Sequence, residues 1–120
     1  VTDMSTPLQI KSSREGEDAA VISLVGEVDV ANTAQVREAA LRLLADGVKR
    51  LVVDLSATEY MDSAGLGTLV GLLKRLKESG GTMAIAGPQP RVARLFQITG
   101  LNQILTLCVD VATALKEVSA

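Results

Sequence analysis

Apolar and polar positions along this chain fall into short blocks whose repeat switches between the strand period of two and the helical period of 3.6. Over residues 8–14, Leu8 and Ile10 alternate with Gln9 and Lys11, which predicts a strand. Residues 20–26 begin with a continuous apolar stretch, Ala20-Val21-Ile22, and predict a second, more deeply buried strand. Between them lies the polar segment Arg14-Glu15-Gly16-Glu17-Asp18, so the pair reads as an antiparallel hairpin.

A helix is predicted after Ala31. Asn32 can cap its first turn and Gln35, three residues on, completes a capping-box pattern. Val36, Ala39, Ala40, Leu43 and Leu44 then form one apolar face, and Gly47 ends the helix. Residues 50–55, Arg-Leu-Val-Val-Asp-Leu, read as a short buried strand. A second helix follows from about Ala64, with Leu66, Leu69, Val70, Leu73 and Leu76 on its stripe and Gly80-Gly81 as its stop. Residues 82–86 predict another strand, and Pro90 opens a third helix carrying Val92, Leu95 and Phe96. Residues 104–107 predict a last strand and 111–118 a C-terminal helix. The predicted order is ββαβαβαβα: an α/β fold with a small mixed sheet and about four helices. Strand–helix alternation from residue 50 onward implies parallel neighbours joined by right-handed crossovers. Residues 1–7 read as a polar N-terminal segment and 8–120 as one domain.

Composition narrows the chemistry. Nearly half of the residues are apolar, yet Phe96 and Tyr60 are the only aromatic ones, so the core is aliphatic. At 120 residues the chain suffices for one domain without a metal or disulfide staple. Twelve basic against fourteen acidic residues give a net charge of −2, and with so few aromatic platforms direct nucleic-acid binding is not expected. There is no histidine, which removes the commonest general acid–base group and the commonest zinc ligand. One cysteine, Cys108, excludes an internal disulfide; its apolar surroundings favour a packing role over a reactive thiol. No apolar run approaches the ~20 residues that span a membrane. Residues 1–7 lack the charged-then-apolar layout of a signal peptide, so a cytoplasmic protein is expected. No metal or cofactor is called for.

The segment Tyr60-Met61-Asp62-Ser63-Ala64-Gly65-Leu66-Gly67 stands out. Asp62 and Ser63 are both N-cap residue types, and either assignment puts the Ser63 hydroxyl in the first turn of the second helix. Gly65 and Gly67 are unfavourable inside a helix by about 1 kcal/mol each relative to Ala. Two readings stand side by side. In one, Asp-Ser is only a cap, and Gly67 with Gly71 permits close packing on the sheet. In the other, the glycines leave a surface that another protein's backbone can approach.

Read together, Gly26-Glu27-Val28-Asp29, Leu51-Val52-Val53-Asp54-Leu55, Met61-Asp62-Ser63-Ala64-Gly65-Leu66-Gly67, Gly80-Gly81 and Val92-Ala93-Arg94-Leu95-Phe96 with Thr99-Gly100-Leu101 resemble the anti-sigma factor antagonists. These are the bacterial branch of the STAS domain family, and the resemblance runs over nearly the whole chain. It implies a non-catalytic partner switch. The unphosphorylated antagonist binds an anti-sigma factor that is also a serine kinase and so frees a sigma factor. The kinase phosphorylates the serine matching Ser63, and a serine phosphatase restores the binding form. The implied partner-binding residues are Asp29, Asp62, Ser63, Ala64, Gly65, Leu66 and Gly67, in a protein expected to be a monomer. Ala64 stands where many relatives carry a second hydroxyl, which leaves Ser63 as the single candidate for modification.

Other residues keep two readings. Asp29 is either part of the kinase contact or a loop carboxylate; Asp54 is either functional or a hydrogen-bonded structural residue. Together with Asp62 they could form a carboxylate cluster for a metal. Arg91 and Arg94, like Lys74, Arg75 and Lys77, read as solvated, with Arg94 a candidate partner contact. Two rival functions remain. One is a STAS scaffold or assembly subunit that binds partners constitutively. The other is an enzyme with Ser63 as nucleophile, for which Lys49 or Lys74 would have to replace the missing histidine.

Overall fold

The computed structural model describes residues 7–119, so the N-terminal segment read over 1–7 lies outside the described residues except for Pro7. Strands β1 (Gln9–Arg14) and β2 (Ala19–Val28) form the expected antiparallel hairpin, in register from Gln9 opposite Val25 to Arg14 opposite Ala20. β2 pairs in parallel with β3 (Arg50–Asp54). The sheet continues in parallel through the strands Thr82–Ala86 and Thr106–Cys108.

Side-chain alternation sorts the core into two layers. Ile22, Leu24, Leu51, Val53 and Ile85 face three helices, α1 (Thr33–Ala45), α2 (Ser63–Glu78) and α3 (Pro90–Thr99). Val21, Val52, Ala84 and Ala86 face the C-terminal helix α4 (Val111–Ser119) through Ala114 and Val118. β3 is apolar throughout its centre because both faces are covered, as in parallel sheets generally. Phe96 of α3 is fully buried against the first layer, and burial of a side chain that size contributes roughly 1.5–3 kcal/mol.

The structure adds a strand that the apolar pattern does not reveal. β4 (Thr58–Met61) pairs in parallel with the last three residues of β2, so β2 extends to Val28 rather than stopping at residue 26. With it, the strands Thr82–Ala86 and Thr106–Cys108 become β5 and β6, and the order is ββαββαβαβα. Only Thr58 and Met61 of β4 are buried; Glu59 and Tyr60 between them are exposed, a spacing that fits neither strand nor helix periodicity. A bulge between Gly26 and Glu27 lets β2 serve β3 with one half and β4 with the other. Gly26 there has φ +117°, a conformation other residues rarely adopt.

Two further expectations are corrected. Asn32 occupies the N-cap position of α1, but its side chain makes no cap bond. Its Oδ1 accepts from the Asp29 amide and its Nδ2 donates to the Glu27 carbonyl, so it staples the preceding loop and no capping box forms. The last strand is Thr106–Cys108 rather than 104–107, because a 3-10 turn at Leu101–Gln103 takes up chain first and leaves Ile104 half exposed. Cys108 packs beside Val111 and Leu115 on the α4 layer. Burial, followed by the nearby carboxylates of Glu117 and Asp110, pushes its thiol pKa up, which disfavours the thiolate. Among the described residues, no helix is long and apolar enough to cross a membrane.

α4 begins on Asp110, whose Oδ1 accepts from the Thr113 amide at 2.8 Å. That hydrogen bond holds the carboxyl below its ordinary value of 3.8, so the cap stabilises the fold above the ordinary carboxylate range and the stabilisation is lost as pH falls through the lowered value. Asp110→Ala is expected to lower the melting temperature at neutral pH. The gap to wild type should close in acid, as followed by circular dichroism melts across pH.

Candidate functional site

The start of α2 is built around one carboxylate. β4 runs out at Met61, and the Asp62 amide still reaches the Val28 carbonyl at 3.1 Å, prolonging the ladder by one residue. Asp62 is therefore held extended (φ −98°, ψ −176°), the conformation of an N-cap residue. Its Oδ1 accepts from the Gly65 amide at 3.0 Å and caps α2. Its Oδ2 accepts from the Val30 amide at 3.1 Å, in the loop between β2 and α1. One side chain thus ties together two loops that are more than thirty residues apart in sequence.

The β2–α1 loop is folded on itself as well. Asp29 Oδ1 accepts from the Ala31 amide at 2.9 Å, and the Asp29 carbonyl accepts from the Asn32 and Thr33 amides. With the Asn32 staple, these bonds fix Asp29 and Val30 beside the start of α2. Val30 is 76% exposed and Tyr60, just before the site, 46% exposed. Neither was expected to matter from the apolar pattern; the signal available for Tyr60 is that it is the only tyrosine of the chain.

Because Asp62 is the cap, Ser63 is the first helical residue and its exposed hydroxyl is not consumed in capping. The amides of Ser63 and Ala64 lie in the same open first turn, where no preceding carbonyl is available to them. Ala64 is half-buried, and its carbonyl accepts from the Thr68 hydroxyl at 2.9 Å.

The two glycines have different reasons for being there. A Cβ on Gly65 would lie 2.6 Å from Met61 Cγ and 3.1 Å from Val28 Cγ1, so this glycine lets α2 press onto β2 and β4. Gly65 is buried and is not part of an approachable surface, which corrects that part of the sequence reading. Leu66 is also buried, so it supports the surface from below. Gly67 and Gly71 are the opposite case. Both are exposed and a Cβ on either would meet nothing within 4 Å, so packing on the sheet does not require them.

Two depressions flank the start of α2. Gly67 and Gly71, with Arg37 and Leu41 of α1, line a groove of about 470 Å³ between α1 and α2. Ser63, Tyr60, Leu66, Arg91 and Leu95 line a second, mostly apolar groove of about 350 Å³ between α2 and α3.

The remaining candidates lie elsewhere. Asp54 accepts from the Ser23 hydroxyl at 3.2 Å and the Ser56 amide at 3.0 Å, closing the end of β3, which is the structural alternative. Asp29, Asp54 and Asp62 do not converge into a group that could hold a metal, nor does any other set among the described residues. Lys74 is eleven residues further along α2 than Ser63, about 16 Å at the helical rise. Lys49 precedes β3, at the other end of the parallel strands. Neither amine is placed to activate the Ser63 hydroxyl.

A family model, STAS domain, matches residues 11–114. The anti-sigma-B factor antagonist of Staphylococcus aureus is 37% identical over 84 residues, covering 70% of this chain and 78% of that protein. The antagonist of the same name from Bacillus subtilis is 35% identical over 94 residues, covering 78% of this chain and 85% of that one. Among solved structures, an anti-sigma factor antagonist from Mycobacterium paratuberculosis superposes with a TM-score of 0.87 at 26% identity, over 98% of this chain and 100% of that chain.

The site geometry sets opposite signs for two alanine substitutions. Gly65→Ala is expected to destabilise the domain by about 1–3 kcal/mol through overpacking against Met61 and Val28. Gly67→Ala is expected to stabilise it by up to about 1 kcal/mol, since helix propensity improves with no clash. Asp62→Ala should lose about 1–2 kcal/mol with the cap and the loop tie. Urea unfolding of the three variants measures all of these shifts.

Proposed function

The chain belongs to the STAS domain family, and we propose that it acts as an anti-sigma factor antagonist, with the start of α2 as its partner-binding surface and Ser63 as its switch. The observation that carries this reading is the division of labour at the helix start. Asp62 does the capping, so the Ser63 hydroxyl is exposed and free for modification. Antagonist relatives that align over most of their own length support the function class.

In this reading, unphosphorylated Ser63 and its surroundings dock on an anti-sigma factor that is also a serine kinase, which releases a sigma factor. Asp29, Asp62, Ala64 and Gly67 form the contact surface with Ser63, while Gly65 and Leu66 hold it from beneath. The exposed Gly67 and Gly71 support close approach by the partner, because nothing inside the domain needs them. Transfer of a phosphoryl group from ATP to Ser63 ends binding, and a serine phosphatase resets the switch. The acting unit is residues 8–120, a monomer in the cytoplasm that exchanges between partners.

Phosphorylation adds roughly −1.5 to −2 charges at the start of a helix, where open amides and the helix dipole accommodate an anion. The fold therefore survives, and the effect falls on the interface, where the phosphate adds bulk and charge beside the Asp62 carboxylate.

The test is calorimetric titration of the kinase partner with wild type, Ser63→Ala and Ser63→Glu. The alanine variant should bind within about threefold of wild type and the glutamate variant about tenfold or more weakly, 1.4 kcal/mol. Equal affinity of the two variants would remove the switch and favour a constitutive STAS scaffold. Incubation with ATP and kinase, followed by mass spectrometry of the peptide spanning Ser63, locates the phosphate.

A further inference from the structure

The groove between α2 and α3 is lined by Ser63 at the start of one helix and by one cation, Arg91, in the first turn of the other. We propose that Arg91 is the residue that holds the phosphate once Ser63 is modified, and that in doing so it closes the mouth of this groove. The inference rests on the reading of Ser63 as the phosphorylation site.

Ser63 and Arg91 are both exposed and line the same cavity of about 350 Å³. The titratable groups on that cavity are Tyr60, Asp62 and Arg91. Asp62 is committed to the Gly65 and Val30 amides, and Asp29 lies on the loop tied to it. Arg91 takes part in no ion pair among the described residues, where the pair present is Arg50 with Asp18. α3 carries Arg91 and Arg94 and no acidic residue, so nothing on its own helix competes for the guanidinium.

The guanidinium fork matches phosphate oxygens in a two-point, charge-assisted contact that lysine does not reproduce. In the hydroxyl form, Arg91 is exposed and outside any ion pair among the described residues, and Leu66, Val92 and Leu95 line the same groove. In the phosphorylated form, the pairing draws Arg91 across the rim. Phosphorylation then removes apolar contact area as well as adding charge. Arg91 acts as a positioning residue for the phosphate, not as a second modification site.

The experiment uses the full chain with phosphoserine incorporated at position 63 during translation, so no kinase or partner is needed. Phosphorus NMR follows the second ionisation of the phosphate, which lies near pH 6 when unpaired. A facing guanidinium favours the dianion, so wild type should titrate lower than Arg91→Gln by about 0.5 unit or more. Arg91→Lys should restore part of the shift, and Arg94→Gln should titrate like wild type. Coincident titrations of wild type and Arg91→Gln overturn the proposal, as does an Arg94→Gln effect equal to that of Arg91→Gln. Circular dichroism confirms folding of each variant, which the exposed position of Arg91 favours. Loss of the switch itself would appear separately, as unchanged partner affinity of the phosphorylated chain.

Discussion

The exposed surface at the start of α2 depends on a carboxylate with two acceptor oxygens in one place. Asp62 satisfies the Gly65 amide with one oxygen and the Val30 amide with the other. A serine or threonine at this position could cap the helix but could not also reach the loop, and asparagine offers one acceptor oxygen where two are needed. The choice of Asp therefore couples helix start and loop in a single local structure. It also frees the next residue. Ser63 follows the cap, so its hydroxyl carries no structural duty, and modification there leaves the cap intact.

What positions Asp62 is β4, the element least visible in the sequence. Four residues with only their ends buried give no periodic signal, yet they move the chain alongside the end of β2 and aim it at Val28. The strands and helices with continuous apolar patterning, such as β3 and α2, were legible because burial on one or both faces imposes the pattern. Asn32 and Gln35 match a capping box without forming one, for a related reason. Residue types at the right spacing do not say which backbone groups lie nearby, and here the loop amides and carbonyls of Glu27 and Asp29 lie closer to the side chain than the helix does. The hydroxyl at the helix start was legible as chemistry. Its flanking grooves were not, because they arise from α1 and α3, distant in sequence.

The glycines of α2 show why composition alone cannot separate packing from function. Gly65 and Gly67 look alike in the sequence, two residues apart in one helix. One is required by van der Waals contact with Met61 and Val28, and removing its hydrogen in favour of a methyl strains the core. The other faces open space, and its presence makes the isolated helix weaker than it need be. An unfavourable residue on an exposed helix face, beside a groove, is what the proposed partner surface would call for. Local rules broken without an internal reason concentrate at functional sites.

Electrostatics then decides how a modification at Ser63 is read. The open amides of α2's first turn and the helix dipole favour an anion there, whereas the Asp62 carboxylate next to it opposes one. Inside the domain the Asp62 carboxylate already accepts from two backbone amides, which stabilise its negative charge where it stands. A docked partner has no such prior arrangement. Under the proposed switch it would bring its own surface against a carboxylate and a phosphate at once, and charge counts for more wherever such a contact excludes water. Under the proposed switch, the same added charge would be nearly neutral for folding and unfavourable for docking. That asymmetry comes from the cap: a domain that had used Ser63 itself to bind the helix amides would lose the cap on modification, and stability and binding would change together.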